Sequence, residues 1–176
     1  ARNAAARASR GDPLFFIDAD TSISAGMLRE ALAALPGGAA GGGCPMKFDG
    51  RIPPYARAML PIFNFLFRAL RLSGGASVYC TRAAFDAAGG WDETLFASEE
   101  IAFARAIKRR GRFILTKSAN LTSGRKLRAH SGREILGFML RALITGPRIV
   151  QQREGLDLWY GARLDDPAAA PQRPLR

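Results

Sequence analysis

The stretch Phe15-Phe16-Ile17-Asp18-Ala19-Asp20-Thr21 runs an apolar strand directly into two acids one residue apart. Strand side chains alternate with period two, so this spacing predicts that Asp18 and Asp20 leave one face and converge on a single divalent cation, with substrate phosphates completing its shell. Two unpaired carboxylates inside an apolar segment would cost on the order of several kcal/mol. The pair is therefore expected at the strand's open end. A plainer reading makes one of the two acids only the cap of a helix that begins near Ser24.

Working outward, strands alternate with helices. Residues 14–18 read as a buried strand, 25–35 as a helix that starts behind Ser24 and stops at Pro36-Gly37-Gly38, and 42–48 as a further strand. Residues 77–81 read as a short strand, 82–88 as a helix stopped by Gly89-Gly90, 99–110 as a helix ended by Gly111, and 112–116 as a strand. That order predicts an α/β domain with helices layered on a sheet. The segment 53–72 is an amphipathic helix on which Arg57, Pro61, Asn64, Arg68 and Arg71 share one stripe and apolar residues cover the remainder. Its wide apolar face is expected to pack on the sheet, with contact to a membrane or a lipid-linked acceptor as the alternative. Residues 135–150 have a similar character, and the Pro/Ala-rich tail 165–176 is expected to be disordered.

With 176 residues, of which 48% are hydrophobic, the chain can bury the core of one domain. Net charge is +11, and no acid occurs between Ile101 and Arg133, where the bases are dense. Such a block attracts polyanions: nucleotide phosphates, anionic lipid head groups or nucleic acid. It equally suits a solvated basic surface, and nucleic acid is the weaker option because no aromatic interleaving accompanies the charge. Cys44 and Cys80 have no metal-ligand spacing, and a reduced, cytoplasmic setting is the default.

Three motifs in order carry a resemblance. Arg2-Asn3 opens a short Ala-rich helix before the Asp-x-Asp; Gly89 to Gly111 reads GGWDETLFASEEIAFARAIKRRG; Thr122 to Lys126 reads TSGRK. Together they resemble the middle of a family 2 glycosyltransferase of the GT-A fold, over about residues 1–160. The resemblance implies a Rossmann-like α/β/α domain over 1–164, ending in amphipathic helices. It also implies an N-terminally truncated fragment that lacks the family's first strands.

The same resemblance implies inverting, metal-dependent transfer of a sugar from a nucleotide-diphosphate-sugar donor to an acceptor hydroxyl. It makes Asp20 the ligand of Mg²⁺ or Mn²⁺. Arg2, Asn3, Asp18, Asp20, Arg125 and Lys126 fall on the donor side, and Gly75, Ser77, Trp91 and Asp92 on the acceptor side. Glu100 occupies the place of the base, with Glu99 as fallback, although the family's motif usually carries Asp there. Displacing a carboxylate by about 1 Å can cost about a hundredfold in rate. Both glutamates also suit a helix N-terminus through its dipole. His130, the chain's single histidine, is the candidate third metal ligand, although the family's late histidine is expected nearer 120–123; otherwise it is a surface or partly packed residue. Trp91 either stacks on a sugar or plugs the domain edge. The resemblance implies a donor and an unidentified acceptor as partners, and the two amphipathic segments 53–72 and 135–150 add an expected peripheral contact with the inner face of the cell membrane.

Two other classes remain open. LFFIDADTS also resembles the first motif of haloacid-dehalogenase-type phosphatases, but the Asp165-Asp166 pair lacks the strand that such a site needs. A non-catalytic basic module for anionic lipid or nucleic acid is the second.

Overall fold

Alternation of strands and helices builds a three-layer α/β arrangement in the computed structural model, which describes residues 1–73 and 76–137. Helix α1 (Arg2–Ala8) leads into β1 (Leu14–Ile17), β2 (Thr21–Ser22), α2 (Ala25–Ala34), β3 (Ala39–Gly43) and β4 (Met46–Phe48). There follow α3 (Pro54–Leu70), β5 (Ser77–Cys80), α4 (Arg82–Ala88), α5 (Glu99–Lys108), β6 (Arg112–Leu115), β7 (Asn120–Thr122) and α6 (Arg125–Ala129). The larger sheet has the order β1-β5-β3-β6, in which β5 runs antiparallel to both neighbours and β3 pairs with β6 in parallel. A smaller sheet, β2-β7-β4, stands beside it.

Period-two alternation sorts side chains between two helical layers. Leu14, Val78 and Cys80 face α4 and α5, where Phe85, Phe103, Ala104 and Ile107 form the main core. Phe15 and Tyr79 point the other way, onto Met27 and Ala31 of α2. Tyr79 lies across β3 and donates its hydroxyl hydrogen to the Ile114 carbonyl at 2.8 Å. A Cβ at Gly42 would stand 2.4 Å from that hydroxyl and 1.8 Å from the Ile114 oxygen, which is why this strand is glycine there. Burial pushes the Tyr79 and Cys80 pKa values up to about 12, and Cys44 and Cys80 are both free and buried.

Local chemistry sets the element ends. The Ser24 hydroxyl accepts the Met27 amide at 3.0 Å, so α2 is capped by serine and neither acid of the Asp-x-Asp is spent on it. Thr81 caps α4 in the same way, and Gly89 closes that helix at φ 80°. The single strand expected over 42–48 is broken at Cys44-Pro45: β3 belongs to the larger sheet and β4 to the smaller.

Helix α3 meets the expectation in part. Its inward side is apolar, with Ala56 buried and Leu60, Phe63 and Phe67 half-buried, joined by Asn64, whose amide exchanges two hydrogen bonds with the Met46 backbone; Arg57, Pro61, Arg68 and Arg71 are exposed, and Arg68 donates to the Thr116 carbonyl at 2.8 Å. Much of its apolar stripe lies outside, with Ile62 59%, Phe65 69%, Leu66 43% and Leu70 56% exposed. Among the described residues no helix is long and apolar enough to cross a membrane. The expectations for 138–150, the tail 165–176 and Gly75 fall outside the described residues.

Candidate active site

Strand β1 ends at Ile17, and Asp18 to Thr21 form a tight turn closed by the Thr21 amide donating to the Asp18 carbonyl at 3.0 Å. The two acids are therefore brought together by a turn and not by strand alternation as expected. The Ser123 amide donates to the Asp20 carbonyl at 3.1 Å, which joins this turn to the end of β7. Asp18, Asp20, Glu100, Arg125 and Lys126 all line one cleft of about 380 Å³, within the range of small-ligand sites. Phe67 of α3 and Phe48 of β4 form part of its apolar wall.

Arg2 holds the acid side together. Its guanidinium donates to Glu99, to Asp18 at 2.9 Å and to Glu100 at 3.3 Å, and lies 4.5 Å from the centre of the Trp91 ring. Trp91 stacks in turn on Phe103, at 4.1 Å between centroids. Burial works against the Arg2 charge, but Glu99, Glu100 and Asp18 outweigh it and raise its pKa. The Arg2 end of α1 is fixed by Asn3, whose amide takes the Trp91 amide hydrogen and donates to the Trp91 carbonyl, both at 2.8 Å. The other end of α1 is tied by Arg82, which donates to carbonyls of Ala6, Ser9 and Gly11.

Glu100 occupies the first turn of α5, whose amino end favours a carboxylate. Desolvation raises its pKa, Glu99 and Asp18 add to the rise, and its own amide and Arg2 oppose it. The residue before it in the cleft wall, Ser98, sits at φ 56° without capping α5. A non-glycine residue in that region carries strain of about 1–2 kcal/mol. Asp20 contrasts with both glutamates: its carboxylate is exposed and has no hydrogen bond or ion pair among the described residues.

The basic side is set by Asp49. Its carboxylate accepts the Gly124 amide at 2.7 Å and the Arg128 guanidinium at 3.1 Å, which fixes the turn before Arg125 and Lys126. A Cβ at Gly124 would meet that guanidinium at 2.6 Å and the Asp49 carbonyl at 2.8 Å.

Other expected site residues stand elsewhere, each for a visible reason. Trp91 is buried between Arg2 and Phe103, so it plugs the core and presents no face to a sugar. Asn3 has both amide atoms committed to the Trp91 backbone. Ser77 is buried and accepts from Asn120 at 2.7 Å, while Asn120 also accepts the Ser24 amide. Asp92 is exposed and closes a local turn onto Thr94, which lowers its pKa. His130 faces Glu134 at 3.8 Å and lies outside the cleft lining, so it does not join Asp20 as a ligand. Glu99 is held by Arg2 and does not line the cleft, which separates it from Glu100. The sequence reading missed Ser98 and the apolar wall from Phe48 and Phe67; only the helix-initiating position of Ser98 offered a signal.

No family model, curated protein or solved structure matches the chain.

Proposed function

We propose that the protein is a GT-A-type glycosyltransferase that moves a sugar from a nucleotide-diphosphate donor to an acceptor hydroxyl, with inversion. One observation carries the reading: the Asp18–Asp20 turn, Glu100 and the Arg125-Lys126 pair, distant in sequence, line a single cleft. Arg125 and Lys126 are suited to bind the diphosphate, Arg through its forked geometry. Asp18 is suited to the sugar or ribose hydroxyls.

Among the described residues no cluster of three or more His, Cys, Asp or Glu side chains is arranged to hold a metal. A hard cation that takes one or two protein carboxylates and completes its shell with substrate phosphates still fits, because Asp20, beside Asp18, has no ion pair among the described residues. Bound there, Mg²⁺ or Mn²⁺ would supply charge neutralisation for the departing diphosphate. Glu100 acts as general base: it takes the acceptor hydroxyl proton as the oxygen bonds to the sugar carbon and the bond to the diphosphate oxygen breaks. Its raised pKa makes it a stronger proton acceptor near neutral pH. Arg2, 3.3 Å from its carboxylate, fixes where that acceptor sits.

Isothermal titration with UDP and GDP, with and without Mn²⁺, tests the donor side. Binding of one nucleotide that requires Mn²⁺, is lost in Asp20→Ala and is weakened less in Asp18→Ala is the expected outcome. Metal-independent binding unchanged in Asp20→Ala would remove the reading, as would tight single-stranded nucleic acid binding without nucleotide affinity.

A further inference from the structure

Helix α3 exposes more apolar surface than a surface helix usually does. Its outward side carries Ile62, Phe65, Leu66 and Leu70 beside the exposed Arg57, Arg68 and Arg71. Four large apolar side chains, each more than two-fifths exposed along one helix, form a contiguous patch of the kind that soluble surfaces avoid unless it meets a partner. The helix spans 17 residues, or about 25 Å, long enough to lie along a surface.

Its edge carries charge of one sign. At the carboxyl end Arg68, Arg71 and Arg112 surround a recess of about 250 Å³, and Lys108 donates from beside them to the Leu70 carbonyl at 2.8 Å. Arg57 is exposed near the amino end of the helix. Apolar side chains facing out, with arginines placed to snorkel along the rim, form the pattern of a helix lying in a bilayer interface, and the chain's net charge of +11 favours anionic head groups. A protein partner would need no such one-signed rim.

We infer that α3 is an interfacial helix that docks the protein on an anionic membrane surface, with its apolar face in the acyl boundary and Arg57, Arg71 and Arg112 on lipid phosphates. The opposite side of the same helix supplies Phe67 to the cleft. Docking therefore places the cleft wall at the bilayer, within reach of a hydroxyl acceptor carried on a lipid. The docking itself does not depend on the transfer reaction.

Flotation of the 176-residue chain with phosphatidylglycerol/phosphatidylcholine vesicles and with pure phosphatidylcholine vesicles tests it. The expected result is binding to the anionic vesicles that weakens with salt, with at least tenfold loss in Ile62→Glu/Phe65→Glu and a smaller loss in Arg57→Glu/Arg71→Glu. Thermal melting of each variant establishes that the fold is retained, since the substituted side chains are exposed. The inference is overturned if the wild type stays in the soluble fraction, or if Ile62→Glu/Phe65→Glu binds as well as wild type. It is equally overturned if the wild type ignores vesicles and forms a dimer that Phe65→Glu dissociates, because the face then belongs to a second copy.

Discussion

Around Arg2, three carboxylates share one guanidinium that rests on an indole, so charges that the fold brings together are answered from within it. Along α3 the reverse holds. Large apolar side chains sit in water beside exposed arginines, and of the helix's polar residues only Asn64 is half-buried, bonded to the Met46 backbone. An internally answered cluster can tune a proton affinity, whereas an exposed apolar face is open to contact from outside the chain. Asp20 belongs with the second kind, although it is two residues from Asp18: its carboxylate is exposed and makes no hydrogen bond or ion pair among the described residues.

Core and outer face should separate first in stability. Phe103 is buried and packs against Trp91, Phe85 and Phe16, so Phe103→Ala should cost about 3–5 kcal/mol in chemical denaturation. A loss below about 1 kcal/mol would mean that the Trp91–Phe103 stack is not what supports Arg2.

Glu100→Gln comes next. With the proton acceptor removed and the shape kept, turnover should fall about 10²- to 10⁴-fold while KM holds. Stability should move the other way. A carboxylate whose folded pKa is raised favours the fold fully below its unfolded pKa, and that contribution is lost as pH rises through the folded value. At pH 7 the ionised Glu100 is therefore a cost, and Glu100→Gln should melt no lower than wild type. A variant with full turnover, or one that melts well below wild type at pH 7, would break the assignment.

Arg2 and Glu99 sharpen it further. As pH falls, activity should drop when Glu100 takes up its proton, at a pH above the ordinary glutamate range. Arg2→Met removes the cation that opposes the rise and should move this acid limb upward; Glu99→Gln removes a like charge and should move it downward. Limbs that move together in kcat/KM–pH profiles would show that the cluster does not act through Glu100.

Much of this was legible in the sequence because it rests on short-range signals. The apolar run into Asp18, the Ser24 and Thr81 caps and the Gly89 stop each act within four residues, and the corresponding elements form where expected. The layering followed from alternation alone. Long-range pairing was not legible: nothing near residue 2 announces that Arg2 will meet Glu99 and Glu100, and nothing near Trp91 announces that Asn3 will hold its backbone. For α3 the helical wheel gave an apolar side that does turn inward, through Ala56, Leu60, Phe63 and Phe67. It did not tell that the apolar arc is wider than the surface the helix packs on, which leaves Ile62, Phe65, Leu66 and Leu70 outside.

The smallest expected effect tests that orientation directly. Phe65 is 69% exposed, so Phe65→Ser removes little packing, and serine and phenylalanine have nearly equal helix propensities. The denaturation midpoint should shift by no more than about 0.5 kcal/mol, as for a surface site without special contacts. The same change deep in a helix core would create a cavity and bury a hydroxyl, at a cost several times larger. A loss in Phe65→Ser that approached the Phe103→Ala value would mean that the outer face of α3 is covered in the folded chain, and the contrast between the two regions would fail. A null shift in denaturation, together with the loss of vesicle binding in the charged variants, would leave α3 as a surface whose apolar character serves contact and not folding.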